Sequence, residues 1–324
     1  MTFKYRIGVD ENGLGARIGP MLVTATLAEV SPQLGAATLK RKLTKALRAD
    51  LDDSKRLVSH GNVELGEAWA RALSSPDIKT PEELLQSVSL EGVEALQSPC
   101  PKSARGQCWS TSHEKFSSSP ELVARLRRHL TKLESGGVRL LGVKNSVLCS
   151  KVLNDGWRAG QNRFVLDLHA MERLILKLRE EAGGEVEAIC GKVGGIADYE
   201  RFFGPLSSRL RVTLEHSRPH SAYRFPGLGN IHFLQDADAK DPLVMLASLV
   251  GKYLRELLMD RISAYYLPDA PSTEWPSGYH DPVSSKFFDA TESVRARRKI
   301  PLNCFERASD STAGHAAKSR APSR

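Results

Sequence analysis

Long apolar runs are absent from this 324-residue sequence, and so is the pattern of a secretory leader. No stretch of eighteen or more apolar residues occurs, and no charged segment precedes an apolar one near the start, so we expect neither membrane insertion nor secretion. The five cysteines are odd in number and form no CxxC pair, which argues against a disulfide framework and against a zinc site. We therefore expect a cytoplasmic protein with reduced thiols.

A nucleotide-binding loop is also missing, because the glycine turns GKVGG and GLGN lack the GxxxxGK[ST] pattern. His216 and His220 are four residues apart, but Pro219 between them opposes the helix that would place two metal ligands on one face. The net charge of +8 favours polyanionic partners, since Lys and Arg release counterions from each phosphate that they neutralise. Many basic proteins bind no nucleic acid, so charge alone decides little.

What the sequence does contain is an alternation of strands and helices. Hydrophobic residues make up 41% of the chain, enough for the core of one large domain or two. Residues 4–9 and 20–30 predict two paired strands, and residues 242–259 predict a strong helix that begins at Pro242. Further strands are predicted within GVRLLGVKNSV, EVEAIC and RVTLEH, and a further helix within FVLDLHAMERLILKLREEA. This order predicts an α/β fold around a mixed sheet.

Two adjacent carboxylates, Asp10 and Glu11, follow the first predicted strand in the stretch IGVDENGLGARIGPMLV. Close to an apolar sheet they repel each other unless a cation is bound, which favours a divalent metal. The competing explanation is a solvated turn, because Asp and Asn tolerate tight backbone conformations and glycine allows positive φ. On this stretch alone, the turn is the more common outcome.

A second acidic cluster, QDADAKD, lies just ahead of the predicted long helix and contains Asp236, Asp238 and Asp241. Acidic side chains ahead of a helix favour its positive N-terminal end, which is one explanation. The other is a Mg²⁺ site, since carboxylates at strand-to-loop and loop-to-helix junctions supply the oxygen ligands that this ion prefers. Two such ions about 4 Å apart would activate a water and stabilise the departing oxygen in phosphodiester cleavage.

Four segments resemble the type 2 ribonucleases H and occur in that family's order. GVDENGLGARIGPMLVTAT resembles the opening motif Asp-Glu-Ala-Gly-Arg-Gly, followed by Gly-Pro and an apolar strand. LDDSKRL resembles the Asp-Ser-Lys segment, and DADAKDPLVMLASLVGKYLRELLM resembles the Asp-Ala-Lys-Ser stretch and its helix. SGYHDPVSSKFF resembles the C-terminal Gly-Tyr-Pro-x-Asp-Pro segment, with the Asp281-Pro282 pair one residue closer than usual. Together the segments are distributed over most of the range of residues 5–290.

The resemblance implies an RNase H-like fold, in which a central mixed sheet is flanked by helices and followed by a helical C-terminal extension. It assigns residues 1–265 to the RNase H-like catalytic-type domain, with a Ser/Pro-rich insertion at about 98–120, and residues 266–307 to the extension. The basic Ser/Ala-rich tail, residues 308–324, predicts disorder.

The resemblance also implies a substrate and a metal. Family members hydrolyse the RNA strand of RNA/DNA hybrids and cut at ribonucleotides embedded in duplex DNA, using Mg²⁺ or Mn²⁺. Of the family's four carboxylates, three match Asp10, Glu11 and Asp238, which are therefore the expected catalytic residues and metal ligands. Backbone amides of the glycine loop are expected at the ribose 2′-OH, which distinguishes RNA from DNA. The expected substrate-binding residues are Gly13, Gly15, Ser54, Lys55, Lys240 and Tyr279.

The fourth carboxylate of the family is missing here. Cys190-Gly191 stands at its position, and Gly191 is the better match because Val193-Gly194 and Tyr199 then fall into step. Neither side chain offers the oxygen that Mg²⁺ requires. Asp236 is the candidate substitute if its loop bends, whereas Glu187 lies too far upstream, at roughly 13 Å for strand spacing of about 3.3 Å per residue.

Two further departures affect the substrate side. Leu14 stands where the family has arginine, with Arg17 as a potential replacement, and Asp241 adds negative charge where a serine is usual. Two hypotheses therefore stay open: a metal-dependent endoribonuclease that has relocated or lost one ligand, or a catalytically silent paralogue that binds nucleic acid without cleaving it. A scaffold protein without either property is the third. The sequence indicates no particular protein partner.

Overall fold

The computed structural model describes residues 3–31, 47, 49–111, 114–193, 196–270 and 274–308. Within these residues, seven strands form one mixed sheet in the order β3-β2-β1-β4-β7-β6-β5. Strands β1, β2 and β3 are antiparallel neighbours, β4 and β7 run parallel to β1, and β6 and β5 extend the sheet antiparallel. The strands are β1 Tyr5–Asn12, β2 Met21–Val30, β3 Val138–Leu148, β4 Val186–Gly191, β5 Val212–His216, β6 His220–Phe225 and β7 Gly229–Leu234.

Helices connect the strands and cover both faces of the sheet. We call Pro242–Tyr266 the long helix and Arg163–Ala182 the opposite helix. The other α-helices are Ser54–Leu57, Glu64–Ala72, Pro81–Val88, Val93–Gln97, Arg105–Trp109, Pro120–Ser135, Ser150–Arg158, Ala237–Lys240, Pro282–Ala290 and Glu292–Arg297. Short 3-10 turns lie at Lys102–Ala104, Glu200–Phe202, Leu267–Asp269 and Leu302–Cys304.

The alternation of side chains along β2 separates the two cores. Leu22 belongs to the core under the long helix, whereas Met21 and Val23 belong to the core under the opposite helix. Successive residues of a strand point to opposite faces, so one strand serves both layers. The long helix lies so close to β1 that a Cβ on Gly8 would come within 2.3 Å of the Leu243 carbonyl carbon, which explains the glycine there.

The predicted α/β architecture, with a central mixed sheet and flanking helices, is confirmed. The first two predicted strands pair antiparallel, as expected. Strands β6 and β7, within HSAYRF and GNIHFL, were not predicted, because their apolar runs are short and interrupted by polar residues. The long helix continues seven residues beyond the predicted end at residue 259, to Tyr266.

The predicted insertion at 98–120 contains structure in its described part. The helix Arg105–Trp109 packs against the long helix, where Gln107 is buried and accepts a hydrogen bond from Tyr266 Oη at 2.9 Å. The C-terminal extension is helical, and Phe287, Val294 and Phe305 form a small core with the end of the long helix. The predicted disordered tail lies, beyond residue 308, outside the described residues. Among the described helices, none is both long and apolar enough to span a membrane.

Candidate functional site at the carboxyl end of strand β1

Asp10 lies where β1 and the parallel strand β4 end side by side. The register pairs Val9 with Cys190, which brings the next residues, Asp10 and Gly191, to the same edge of the sheet. A Cβ built on Gly191 would lie 3.2 Å from Asp10 Oδ1. A side chain at position 191 would therefore point at Asp10, which agrees with the sequence match of this position to the missing carboxylate. The glycine leaves that place without a ligand.

Two buried serines connect Asp10 to distant parts of the chain. Ser248 of the long helix hydrogen-bonds to the Asp10 carboxylate, and Ser248 Oγ lies 2.9 Å from Ser54 Oγ. Asp53 accepts a hydrogen bond from the Lys55 amide at 3.0 Å and so caps the short helix that carries Ser54. The Asp-Ser-Lys segment is thereby fixed beside the carboxylate. Ser54 acts through Ser248, and in this structure it is a positioning residue.

Electrostatics at Asp10 favour a bound cation. The pKa of Asp10 is raised to about 7, chiefly by burial and also by the nearby carboxylates of Glu11 and Asp238, while the Ser248 hydroxyl opposes the shift. An ionised carboxylate in such a place is stabilised by an opposite charge within a few ångströms. At neutral pH, Asp10 therefore needs a cationic partner to stay fully ionised.

Two lysines supply part of that positive charge. Lys55 Nζ lies 3.1 Å from Asp238 Oδ2, and this hydrogen bond raises the pKa of Lys55. Lys252 stands one helical turn after Ser248, and burial lowers its pKa while Asp10, Asp53 and Asp238 oppose that shift. The site thus holds both acids and bases, and Lys55 competes with any metal for Asp238.

Glu11 is connected to a different set of groups from those around Asp10. Its Oε2 accepts a hydrogen bond from the Leu14 amide at 2.9 Å. Burial raises the pKa of Glu11, and the guanidinium groups of Arg255 and Arg307 oppose that shift. Glu11 therefore joins the strand end to the loop that follows it.

That loop, which we call the glycine loop (residues 13–19), is shaped by backbone conformations that favour glycine. Gly13 has φ of 98° and Gly19 has φ of 81°. The amides of Arg17 and Ile18 both donate to the Gly278 carbonyl, at 2.8 and 3.0 Å. No heavy atom lies within 4 Å of a Cβ built on Gly15, so this part of the loop faces open space. The loop is held in shape and leaves room for a ligand.

Tyr279 stands beside this loop. Its ring packs against the Arg255 guanidinium, with 4.6 Å between the ring centroid and Cζ, and 42% of the residue is exposed. Arg255 itself is 3% exposed, and its Nε and Nη2 have no hydrogen-bond partner among the described groups. The structure therefore brings the Gly-Tyr segment to the opening motif, as the resemblance implied, and presents one face of the ring to solvent.

The C-terminal segment holds the glycine loop from behind. The Arg307 guanidinium donates to the Gly19 carbonyl at 2.7 Å, and the Arg307 amide donates to the Arg17 carbonyl at 2.9 Å. Arg17 is occupied by its pair with Glu306 at 2.8 Å and by the Phe288 ring. It faces the extension and does not take the place of the family arginine at Leu14.

The acids ahead of the long helix have separate environments. Asp241 is the N-cap, since its Oδ1 accepts from the amides of Leu243 and Val244 at 2.9 and 3.2 Å. Asp236 is exposed, has φ of 54° and lies 3.9 Å from Lys240, which donates to the Gln235 carbonyl at 2.7 Å. The structure thus brings Asp238 to the site through Lys55, and shows Asp236 and Lys240 paired with each other at its exposed edge.

Asp167 was missed by the sequence reasoning. It lies on the opposite helix, is 0% exposed, and neither carboxylate oxygen has a hydrogen-bond partner among the described groups. Burial raises its pKa well above the ordinary value, and Glu11 and Asp10 raise it further. A signal was present, because Asp167 falls on the apolar stripe of Phe164, Leu168 and Met171. An acid on such a stripe is unusual and marks a special environment.

Three polar residues of the long helix were missed as well. Ser248, Lys252 and Arg255 follow i, i+4, i+7 spacing and so share one face of the helix. Each lies beside one of the groups already described, at Asp10 or at Tyr279. A polar stripe on an otherwise apolar helix was the available signal.

The oxygen donors of Asp10, Glu11 and Asp238 suit a hard divalent cation. Asp10 is half-buried and its charge is only partly neutralised, and Gly191 leaves the fourth position without a donor. Over the described residues, no three His, Cys, Asp or Glu side chains lie close enough together to hold a metal ion as they stand. The chemistry therefore fits Mg²⁺ or Mn²⁺, and binding requires these carboxylates to turn toward one another.

Comparison with known proteins gives one match in sequence. No protein-family model matches the chain. Ribonuclease HII of Hyperthermus butylicus is 35% identical over 92 residues, which is 28% of this chain and 34% of that protein. The chain thus matches about a third of the length of this curated relative.

Solved structures align over most of the chain at low identity. A mutant protein of Bst-RNase HIII aligns with a TM-score of 0.49 and 16% identity over 98% of this chain and 70% of its own. Bst-RNase HIII in complex with Mn²⁺ aligns with a TM-score of 0.46 and 14% identity, again over 98% of this chain and 70% of its own. RNase HII of Archaeoglobus fulgidus, in complex with PCNA, aligns with a TM-score of 0.42 and 19% identity. This alignment covers 93% of this chain and 92% of the other. All three alignments have identities below 20% and TM-scores below 0.5.

Proposed function

The chain is a distant member of the type 2 ribonuclease H family, and from this premise we propose that it is a metal-dependent endoribonuclease. Its substrates would be RNA/DNA hybrids, or duplex DNA with embedded ribonucleotides. The observation that most strongly supports this proposal is that four segments, distant in sequence, meet at the end of β1. Asp10, Ser54, Asp238 and Tyr279 represent these segments and lie on or beside the same sheet edge and glycine loop.

The glycine loop and Tyr279 form the substrate side of this proposal. The positive φ values of Gly13 and Gly19 shape a loop whose backbone is open to solvent at Gly15. Donors and acceptors of the backbone are suited to the ribose 2′-OH, the group that distinguishes RNA from DNA. The exposed face of Tyr279 offers a surface for the adjoining sugar, and Lys55, 72% exposed at its side chain, reaches a phosphate beside Asp238.

The carboxylate side would hold the metal. Asp10, Glu11 and Asp238 are the residues proposed to bind Mg²⁺ or Mn²⁺, which would supply a polarised water and stabilise charge on the departing oxygen. Ser248 orients Asp10, and Lys252 adds positive charge beside it. Lys55 leaves Asp238 when it meets a phosphate, which frees a carboxylate oxygen at the moment the substrate binds. Asp236 lies at the exposed edge and is the proposed substitute ligand only if its loop turns inward.

The second candidate is a paralogue that binds the same duplexes without cleaving them. Gly191 favours it, because the place beside Asp10 where a fourth carboxylate would point has no side chain. The Lys55–Asp238 pair favours it too, because it occupies an expected metal ligand. In this case the glycine loop and Tyr279 would keep their function, and the acids would only shape the surface.

The deciding experiment uses a duplex with one embedded ribonucleotide and an all-DNA duplex of the same sequence. We expect the purified chain to cut the first duplex at the ribonucleotide in Mg²⁺ or Mn²⁺ and to leave the second intact. Asp10→Asn should abolish the product, whereas Asp77→Asn, at an exposed loop carboxylate, should not. Selective binding without product would establish the second candidate. Equal, weak binding of both duplexes would refute both candidates.

A further inference from the structure

A second concave site lies between the helix Pro120–Ser135 and the segment that follows the helix Glu64–Ala72. It is a cavity of about 440 Å³, and no residue of the candidate site lines it. We call it the basic cavity, because its described lining includes no acidic residue and four basic ones: Arg71, Lys79, Arg127 and Arg128. Its volume falls within the range of about 300–1,000 Å³ that is typical of ligand sites. Its charge favours an anionic ligand.

The helix Pro120–Ser135 forms one wall of the basic cavity. The residues that line this wall follow i, i+3, i+4, i+7 and i+8 spacing and therefore share one face of the helix: Pro120, Val123, Ala124, Arg127 and Arg128. The two arginines belong to the basic run RLRRHL, residues 125–130. The third arginine of that run, Arg125, pairs instead with Asp50 at 2.7 Å. Helical spacing thus directs part of a basic run into the cavity.

Two of the arginines in the basic cavity are held in place by the protein. Arg71 Nη1 donates to the Ser118 carbonyl at 2.6 Å, and the Arg71 guanidinium lies over the Phe116 ring, with 4.3 Å between Cζ and the ring centroid. Arg127 Nη2 donates to the Arg71 carbonyl at 3.1 Å. Because these guanidinium groups are already ordered, less conformational entropy is lost when they bind an anion.

The charge of the basic cavity is largely unneutralised. Of its four cations, Arg71 is the one within ion-pair distance of a described acid, at 3.7 Å from Glu67 Oε1. Lys79 Nζ donates to the Pro76 carbonyl at 3.1 Å, and the side chain of Arg128 makes neither a hydrogen bond nor an ion pair with the described residues. Both of these residues are exposed. They are therefore available to carboxylates or phosphates from outside the chain.

The basic cavity also has an apolar floor. Ile78 and Phe116 are half-buried there, and Val123 is buried. A sugar-phosphate backbone makes its contacts through phosphates and needs no apolar surface beneath the cations. An acidic peptide with one apolar side chain matches both features, because the side chain would fill the floor while the flanking carboxylates meet the cations.

A neighbouring cavity favours an extended occupant. Ser75 and Ile78 also line a second cavity of about 560 Å³, which lies beside β3, the outermost strand of the sheet. Its described lining adds two basic residues, Arg139 and Lys144, and one acidic residue, Glu181. Two cavities with a common wall suit a chain of several residues better than a compact nucleotide.

We propose that the basic cavity is the docking site for an acidic segment of a partner protein that carries one apolar anchor residue. The anchor, a Leu or Phe side chain, would pack on Ile78 and Phe116. Flanking Asp or Glu carboxylates would meet Lys79 and Arg128, and an arginine can hold a carboxylate through two parallel hydrogen bonds. This inference does not depend on the proposed nuclease activity, and the cavity shares no residue with the proposed duplex-binding groups.

Fluorescence anisotropy of the full-length chain with a labelled peptide, Asp-Glu-Asp-Leu-Phe-Glu-Asp-Glu, tests the proposal. We expect saturable binding at about 0.15 M salt, and binding at least about tenfold weaker when Ser-Ser replaces Leu-Phe, because the apolar contact is lost. A single-stranded oligodeoxynucleotide of equal charge should not displace the peptide. Absence of binding, or equal binding of the two peptides, would overturn the proposal. Displacement by the oligonucleotide would identify a nucleic-acid site and overturn it too.

Two charge reversals locate the binding site. Arg128→Glu should weaken peptide binding at least about tenfold, since it removes a charged hydrogen bond and adds repulsion. Arg173→Glu makes the same change at an exposed position of the opposite helix and should bind within about twofold of the parent. Equal effects of the two variants would show attraction by net charge alone and would refute the site. Hydrogen exchange of the unmutated chain gives an independent check, because peptide should protect residues 71–79 and 116–128. Protection confined to other segments would place the peptide elsewhere and refute the site.

Discussion

The two sides of the candidate site differ in how fully their polar groups are satisfied. On the glycine-loop side, amides donate to the Gly278 carbonyl and the Gly19 carbonyl accepts from Arg307, so the backbone is held by the protein's own groups. On the carboxylate side, Asp10 has a raised pKa and Asp167 has two unpartnered oxygens in the described structure. The loop backbone of the first side is held by hydrogen bonds within the protein, whereas the second side carries negative charge that the protein only partly neutralises. We therefore expect the proposed binding and the proposed cleavage to be separable by substitution.

Gly191→Asp tests whether one side chain is all that the carboxylate side lacks. Its Cβ would lie 3.2 Å from Asp10 Oδ1, so the new carboxylate would join the edge where Asp10 stands. We expect cleavage of the ribonucleotide duplex in Mg²⁺ to rise about 10- to 100-fold, the scale on which groups around a metal change its affinity or activity. Initial rates, together with Mn²⁺ affinity from calorimetry, measure the effect.

The matched control is Gly191→Asn, which adds nearly the same volume without the charge. It should give no gain in rate and no gain in metal affinity. If the asparagine variant is as active as the aspartate variant, the effect comes from the backbone at position 191, and the comparison between the two sides loses its basis.

Tyr279→Ala tests the glycine-loop side. The ring supplies exposed aromatic surface over Arg255, so its loss should weaken binding of the ribonucleotide duplex by about tenfold, within the range of about 1–3 kcal/mol typical of stacking on an aromatic side chain. Fluorescence anisotropy with Asp10→Asn as the background measures binding without cleavage. Tyr279→Phe keeps the ring and should bind within about twofold of the parent.

Lys55→Ala tests the residue that links the two sides. Removing one phosphate contact should lower the slope of log Kd against log salt concentration by about 0.9. The exposed Lys55–Asp238 pair contributes little to stability, so the free energy of unfolding should change by less than about 1 kcal/mol. Lys177→Ala, on the exposed surface of the opposite helix, should leave the salt dependence unchanged. A change of the slope in both variants would show general rather than local attraction.

The smallest effect concerns pH and stability without metal. The pKa of Asp10 is about 7 in the folded chain and near 3.8 when unfolded, so the folded state binds the proton more tightly. The contribution of protonated Asp10 to the free energy of unfolding is therefore fully present below about pH 4 and is lost as the pH rises through 7. In EDTA, the Tm should fall between pH 5 and pH 8, and Asp10→Asn should reduce that fall. At pH 8, Mg²⁺ should raise the Tm of the parent and not of the variant.

Sequence reasoning reached the architecture and the order of the motifs because these depend on periodicity and on local residue types. The paired strands β1 and β2, the long helix and the α/β arrangement around a mixed sheet follow from such patterns. It also matched position 191 to the missing fourth carboxylate, and a Cβ built on Gly191 would lie 3.2 Å from Asp10 Oδ1.

The remaining parts of the site depend on contacts between distant segments. Asp167 and Ser248 acquire their roles from neighbours more than 150 positions away, and no local pattern specifies such neighbours. Arg17 was named only as a potential replacement for the family arginine, and the extension provides Glu306 as its partner. The metal-ligand roles of Asp10, Glu11 and Asp238 stay predictions that the experiments above test.

The contact between Arg307 and Gly19 has a consequence for folding during synthesis on the ribosome. The two residues are 288 positions apart, so the glycine loop leaves the ribosome long before its support is made. At about 5–20 residues per second, the delay is roughly 15 s to one minute. During that interval the acids of β1 already exist but the loop beside them is unsupported. The glycine loop can therefore take its supported shape only after residue 307 has left the ribosome.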